Sequence, residues 1–270
     1  MPIIDAQIHT WSKGATMPPH RAEVFTAEQA LADMDAAGID GALLHPPSWD
    51  PDSNEVAVEA ARAHPNRFAI FGRIAVDQPE SRKLIDGWKS RPGMLGLRFA
   101  FIKPETQSWP HDGTMDWLWP AAEKAGIPVA MLCGDFLPLI GQKAERHPQL
   151  KLIVDHMGTV RTKKGDEAFR TLPELLALAK YPNVAIKLTG GPGYATDGYP
   201  FKSLHEPYRR IYDAFGPKRM FWGTDITRMT CSWRQCVTHI TEELHWLSAA
   251  DKDLIMGGAL CEWIGWKRTT

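Results

Sequence analysis

Pro2-Ile3-Ile4-Asp5-Ala6-Gln7-Ile8-His9 opens the chain as a short apolar run that ends in two polar residues spaced i, i+2. Alternate side chains of a strand share a face, so Gln7 and His9 point the same way. Where that face is the mouth of a parallel barrel, the first strand delivers both groups into an active site. A His-x-His pair at such a place is a metal-binding arrangement. This chain carries Gln-x-His, and much of the functional question turns on that difference.

Seven more apolar runs follow, at 41–45, 68–75, 96–101, 129–133, 151–155, 184–188 and 220–223. Helical patterns with recognisable ends separate them. Thr26-Ala27-Glu28-Gln29 forms a capping box ahead of Leu31, Met34 and Ala37, with Gly38 as the stop. Asp52 or Ser53 caps a helix through Val56, Ala60 and Ala63 that stops at Pro65. Further helices are expected over 117–124, 137–146, 172–180 (with Pro173 in the first turn) and 203–215. Strands apolar on both faces that alternate with helices argue a parallel sheet. Eight such units in 270 residues predict an α/β fold, a single-domain (β/α)8 TIM barrel over residues 1–270. No G-x-G-x-x-G follows an early strand, which weakens an open dinucleotide-binding sheet. No internal repeat, low-complexity tract or linker divides the chain.

Composition narrows the class further. Hydrophobic residues make up 44% and charged residues 23%, ordinary values for a globular protein. A formal net charge of −1 gives no case for nucleic acid or a membrane surface as partner. The four cysteines form no C-x-x-C pair, so buried thiols are expected rather than a zinc module or a disulfide framework. Lacking an N-terminal apolar segment or a run of 18 apolar residues, the chain reads as cytoplasmic. The segment Trp263–Trp266 is expected to close the last helix against the barrel, with a homo-oligomer contact as the alternative.

The ends of the predicted strands bring Gln7 and His9, His45, Arg73, Arg98, Cys133, Asp155 and His156, Lys187 and Asp225 to the mouth. Strand interiors stay apolar while nearly every strand end is polar, a bias that folding alone does not require. His45 taken singly is the kind of histidine that hydrogen-bonds within a loop. His9, His156 and Asp225 taken together point to function.

Three of these stretches resemble the strand motifs of the amidohydrolase superfamily: Ile4-Asp5-Ala6-Gln7-Ile8-His9, Val154-Asp155-His156-Met157-Gly158 and Phe221-Trp222-Gly223-Thr224-Asp225. The nearest branch is the "amidohydrolase 2" group of lactonases and non-oxidative decarboxylases. Similarity continues from Gln235 through Thr241-Glu242-Glu243-Leu244 to Asp251-Lys252-Asp253-Leu254-Ile255-Met256-Gly257, so it covers essentially the whole chain. The resemblance implies that the opening His-x-His falls on Gln7 and His9, the later-strand histidine on His156 and the final aspartate on Asp225. A further histidine of many members is absent from Val129-Ala130-Met131-Leu132-Cys133-Gly134-Asp135, and no lysine is placed as a carboxylated bridge. A two-metal site is therefore not expected. One divalent metal, zinc by the donor types, would be held by His9, His156 and Asp225 with Gln7 as a neutral fourth group. Metal-free catalysis is equally open. Asp225 would then deprotonate water, and His9 with His156 would hydrogen-bond the oxyanion.

Arginines suggest the substrate. Guanidinium forks recognise carboxylates, so Arg98 and Arg228 are candidates for holding a substrate anion. An internal salt bridge from Arg98 to Asp5, Asp155 or Asp225 is the competing use. Arg73, His45 and Trp49 join them as candidate substrate contacts, Lys187 more weakly, and Trp49, Phe101 and Trp109 could wall a flat ring. The expected activity is hydrolysis of a small anionic lactone, with Asp225 as general base. Decarboxylation or hydration of an aromatic or unsaturated acid on the same barrel is the alternative. A non-catalytic binding barrel, motivated by Gln7, is a third.

Overall fold

A computed structural model describes residues 2–268. The eight apolar runs form strands, shorter than their runs except for β4, which starts two residues early: β1 (Ile4–Ile8), β2 (Gly41–Leu44), β3 (Phe68–Gly72), β4 (Met94–Ala100), β5 (Val129–Leu132), β6 (Leu152–Val154), β7 (Val184–Lys187) and β8 (Met220–Phe221). They lie in sequence order in one sheet, and each neighbouring pair is parallel. Ala6 N donates to Trp222 O at 3.0 Å and Asp225 N to Gln7 O at 2.8 Å, which brings β1 against β8 and closes the barrel. The runs overshoot at their C-terminal ends because His9, His45 and Asp155 lie past the last ladder residues, where the backbone turns outward.

Inside the barrel, small and large side chains alternate. Ala6, Ala69, Ala130 and Ala185 leave room for Ile4, Leu43, Phe71, Ile153 and Phe221, which fill the lower interior. The bottom is covered by a helix, Ala259–Ile264, whose Leu260 and Ile264 join that core together with Trp266. Trp266 Nε1 donates to Pro65 O at 3.3 Å, so this C-terminal segment seals the barrel. Gly257 is required where the chain passes under β1, because a Cβ there would lie 2.6 Å from Ile4 Cγ1.

The helix ends follow local chemistry. Thr26 accepts from Gln29 N and the Gln29 side chain accepts from Thr26 N, so the capping box forms ahead of the helix Ala27–Ala37. Gly38 ends that helix at φ 77°, a conformation that costs a glycine little. Asp52 precedes the helix Ser53–Ala63 but accepts no capping bond, because its carboxylate is paired with Lys13. The helix Leu137–Arg146 spans the residues expected of it. The 172–180 pattern divides into an α-helix, Leu172–Ala177, and a tighter turn, Leu178–Lys180. All four cysteines are free. No helix among the described residues is long and apolar enough to cross a membrane.

Candidate active site at the barrel mouth

The site is built on the seam between β1 and β8. Asp5 is fully buried and accepts from Thr224 N (2.8 Å), Thr224 Oγ1 (2.5 Å), Gln7 N (3.0 Å) and Trp233 Nε1 (2.8 Å). Those four bonds pin the backbone that carries Asp225. Asp225 itself adopts φ 57°, and His156 and Met157 adopt φ 52° and 57°. Left-handed backbone at non-glycine residues is uncommon and is held only where surrounding contacts enforce it. Here it turns His156 and Asp225 out of their strands toward one another.

Ring tautomers follow from the partners. His9 donates from Nδ1 to His45 O at 2.6 Å, so its Nε2 lone pair faces Asp225 Oδ1 at 3.3 Å. His156 donates from Nδ1 to Thr189 O at 3.0 Å. Its Nε2 therefore accepts from the Gln7 amide nitrogen at 3.2 Å and stands 3.8 Å from Asp225 Oδ2. Arg228 Nη1 lies 3.7 Å from the same Oδ2, and its Nη2 donates to Tyr194 OH at 3.3 Å. Asp225 Oδ1 is buried with no hydrogen-bond partner. Burial pushes the His9 ring down to about 3, over the opposing pull of Asp225, and burial with Arg228 lowers His156 to about 4. Burial alone would raise the Asp225 carboxyl, but His9, Arg228, His20 and His156 hold it near 2. At neutral pH the site thus presents an ionised Asp225 between two uncharged imidazoles.

A second layer lies beneath. Lys187, at the end of β7, is fully buried and its ammonium has three acceptors: Asp155 Oδ1 at 2.9 Å, His45 Nε2 at 2.9 Å and Gln7 Oε1 at 3.5 Å. Arg98 Nε binds the other oxygen of Asp155 at 2.9 Å. Burial would raise Asp155, but Lys187 and Arg98 hold its carboxyl far below the usual range. Burial lowers Lys187 to about 8 against the attraction of Asp155, so it remains mostly charged at neutral pH.

Above this layer opens a cavity of about 330 Å³. His9, His156, Asp225, Arg228, Arg73 and Arg98 all reach it, as do Trp49 and Trp109. Several expected members do not. Gln7 and His45 are buried behind the wall, where Lys187 and His156 take their polar atoms. His45 thus does not line the cavity, and Gln7 turns its amide nitrogen to His156 and its oxygen to Lys187. Arg98 faces the cavity but has its Nε committed to Asp155, the internal salt bridge that the sequence left open. Phe101 stacks on Phe99 and does not line the cavity.

Two residues of the site were absent from the strand-end reading because loops supply them. His20 stands within ring contact of His9 (centroids 5.2 Å apart) and Trp49 (5.0 Å). Its Nδ1 is 2.8 Å from Thr227 Oγ1, and the next residue, Arg21, donates its N–H to Thr227 O at 2.8 Å. Arg161 adds a fourth arginine to the cavity wall. The sequence signal for His20 is its place in the loop after the first barrel strand, since such loops build the mouth.

Buried neutral histidines make stability depend on pH. His9, His156 and His239 are lowered to about 3, 4 and 4, chiefly by burial, and His45 lies well below its ordinary value. Between these values and the unfolded value near 6.5 the unfolded chain binds more protons, so stability rises with pH across that window. The Tm of metal-stripped protein should fall by more than about 10 °C from pH 6.5 to 4.5, as several imidazoles are forced to charge on unfolding. A scanning-calorimetry series with a level Tm across this window would contradict the neutral assignment.

The comparisons agree with this architecture. The family model described as Amidohydrolase matches residues 4–262. An L-fucono-1,5-lactonase from Burkholderia ambifaria is 32% identical over 243 residues, covering 82% of this chain and 79% of that protein. An amidohydrolase from Burkholderia multivorans, solved with bound zinc, superposes with a TM-score of 0.84 at 18% identity, covering 99% of this chain and 100% of that one. A putative 2-pyrone-4,6-dicarboxylic acid hydrolase from Pseudomonas putida superposes with a TM-score of 0.75 at 18% identity over 98% of each chain.

Proposed function

We propose a function on the premise that this chain belongs to the amidohydrolase family, whose model matches residues 4–262. It is a hydrolase acting on ester bonds, and the reading supported best is the opening of a small anionic lactone. One observation carries that reading: Asp225, ionised and with its buried Oδ1 lacking a hydrogen-bond partner, lines a cavity whose wall also holds Arg73, Arg161 and Arg228. Ester hydrolysis needs a base within reach of water and positive or donor groups where charge develops. Asp225 takes a proton from the attacking water as the water oxygen bonds to the lactone carbonyl carbon. The tetrahedral intermediate then collapses, the ring C–O bond breaks, and the proton passes to the leaving alkoxide to give a hydroxy acid. Arg228 neutralises developing charge beside Asp225. Arg161 and Arg73 hold a carboxylate at the other end of the ring.

The donor set also fits one divalent cation, since ring nitrogens of His9 and His20 and an oxygen of Asp225 lie within 4.8 Å of one another. When bound, such an ion would polarise the lactone carbonyl. The relative from Burkholderia ambifaria and the Pseudomonas putida neighbour are both named for lactone substrates, and both support the reaction class.

A panel of carboxylated and neutral γ- and δ-lactones tests the reading, with acid release followed continuously and the products weighed. We expect a mass gain of one water, and a kcat/KM about 10–100-fold higher for a carboxylated lactone than for its neutral analogue, the worth of one charge-assisted contact. Carbon dioxide release from aromatic acids, with no lactone opened, would assign the barrel to decarboxylation.

A further inference from the structure

We propose that the cation seat of this chain is formed by His9, His20 and Asp225, and that Gln7 withdraws His156 from metal ligation. The seat shares its place with the proposed hydrolytic site, but the test below reads metal rather than turnover, so failure of the lactonase reading leaves it intact.

Three facing atoms carry the first half. His9 Nε2 presents a lone pair, because Nδ1 is spent on His45 O. Asp225 Oδ1 is buried and has no hydrogen-bond partner. The Thr227 hydroxyl engages His20 Nδ1, and in the tautomer where it accepts from Nδ1–H the Nε2 lone pair is left for the seat. The three ligand atoms lie within 4.8 Å of one another. A water between three acceptors can donate to only two of them. A divalent cation satisfies all three acceptors, with a fourth position left to water or substrate, as three-ligand catalytic sites require. The ring nitrogens of His9 and His20 that face away already bind oxygens that fix ring orientation, an outer support typical of metal-bound histidines.

The second half rests on Lys187. An ammonium has only donors, so it must meet Gln7 at the amide oxygen and His45 at a ring lone pair. That orientation turns the Gln7 NH2 to His156 Nε2 at 3.2 Å. His156 donates from its other nitrogen to Thr189 O. Neither nitrogen of His156 is then free to bind metal. A histidine at position 7 would carry no amide to fill this role, so the Gln7–Lys187 pair moves the seat toward the mouth. The third ligand then comes from a loop, and Arg21 N–H to Thr227 O ties that loop beside the β8 end.

Metal-stripped full-length protein should be titrated with zinc against a chromophoric chelator, and with cobalt(II) followed by its visible absorption. Alongside wild type, His20→Ala and His156→Gln are measured. His20→Ala should weaken zinc binding by at least about 100-fold, more than loss of an outer-shell partner costs, while His156→Gln stays within about tenfold of wild type. Because His156→Gln could perturb folding, the wild-type protein with 15N-labelled histidine gives the same answer directly. Zinc should shift the ring nitrogens of His9 and His20 and leave those of His156 in place. Zinc-induced shifts at His156 with none at His20 would overturn the proposal. So would wild-type protein that takes up no zinc at micromolar concentration.

Discussion

Asp225→Asn should lower kcat/KM on the responsive lactone by about 10²–10⁴-fold, the range associated with a positioned general base. The substitution is close to a pure removal of charge. Asparagine tolerates the left-handed φ of 57° at this position, so the backbone turn survives. Its amide can face the His9 Nε2 lone pair, now 3.3 Å from a carboxylate oxygen, while Arg228 loses a charge partner, so the variant should fold with a modestly lower Tm. Steady-state kinetics with a thermal melt on the same preparation separate the two effects. A variant that folds yet retains more than about a tenth of the activity would remove Asp225 from the base role. A variant that simply unfolds would show its fault in the melt.

Lys187→Met is expected to cost about 3–5 kcal/mol, the usual penalty for stripping one partner from a buried ion pair. Lys187 and Asp155 are both fully buried, and Arg98 reaches only one oxygen of that carboxylate. In a chain of 270 residues this corresponds to a Tm lower by about 10 °C. If the single variant melts within about 2 °C of wild type, the lysine is not holding the floor of the site. Lys187 also turns Gln7, so a change in zinc affinity in this variant would appear together with the lost stability.

Much of the barrel could be read from the chain because its determinants are local. Apolar runs of strand length, the Thr26–Gln29 capping box and the stop at Gly38 each act within a few residues, and each appears in the structure. The polar residues at strand ends were legible for the same reason: period two and the closing of a parallel barrel fix which end of a strand faces the mouth. His9, His156 and Asp225 converge as that logic requires. Strand ends do not reveal depth. Gln7 and His45 occupy the same kind of position as His9, yet a lysine from a strand 140 or more residues away takes their polar atoms and seals them behind the cavity.

The sequence by itself determined the eight-unit barrel and the membership of Asp225, His9 and His156 in one polar cluster, because strand periodicity and helix caps are short-range rules. Tertiary structure alone decided the division of labour within that cluster. Hydrogen bonds between residues far apart in the chain choose which nitrogen of each imidazole carries the proton and which way an amide points. Here His45 O leaves His9 with a free lone pair, Gln7 occupies that of His156, and the loop carrying His20 supplies the missing donor.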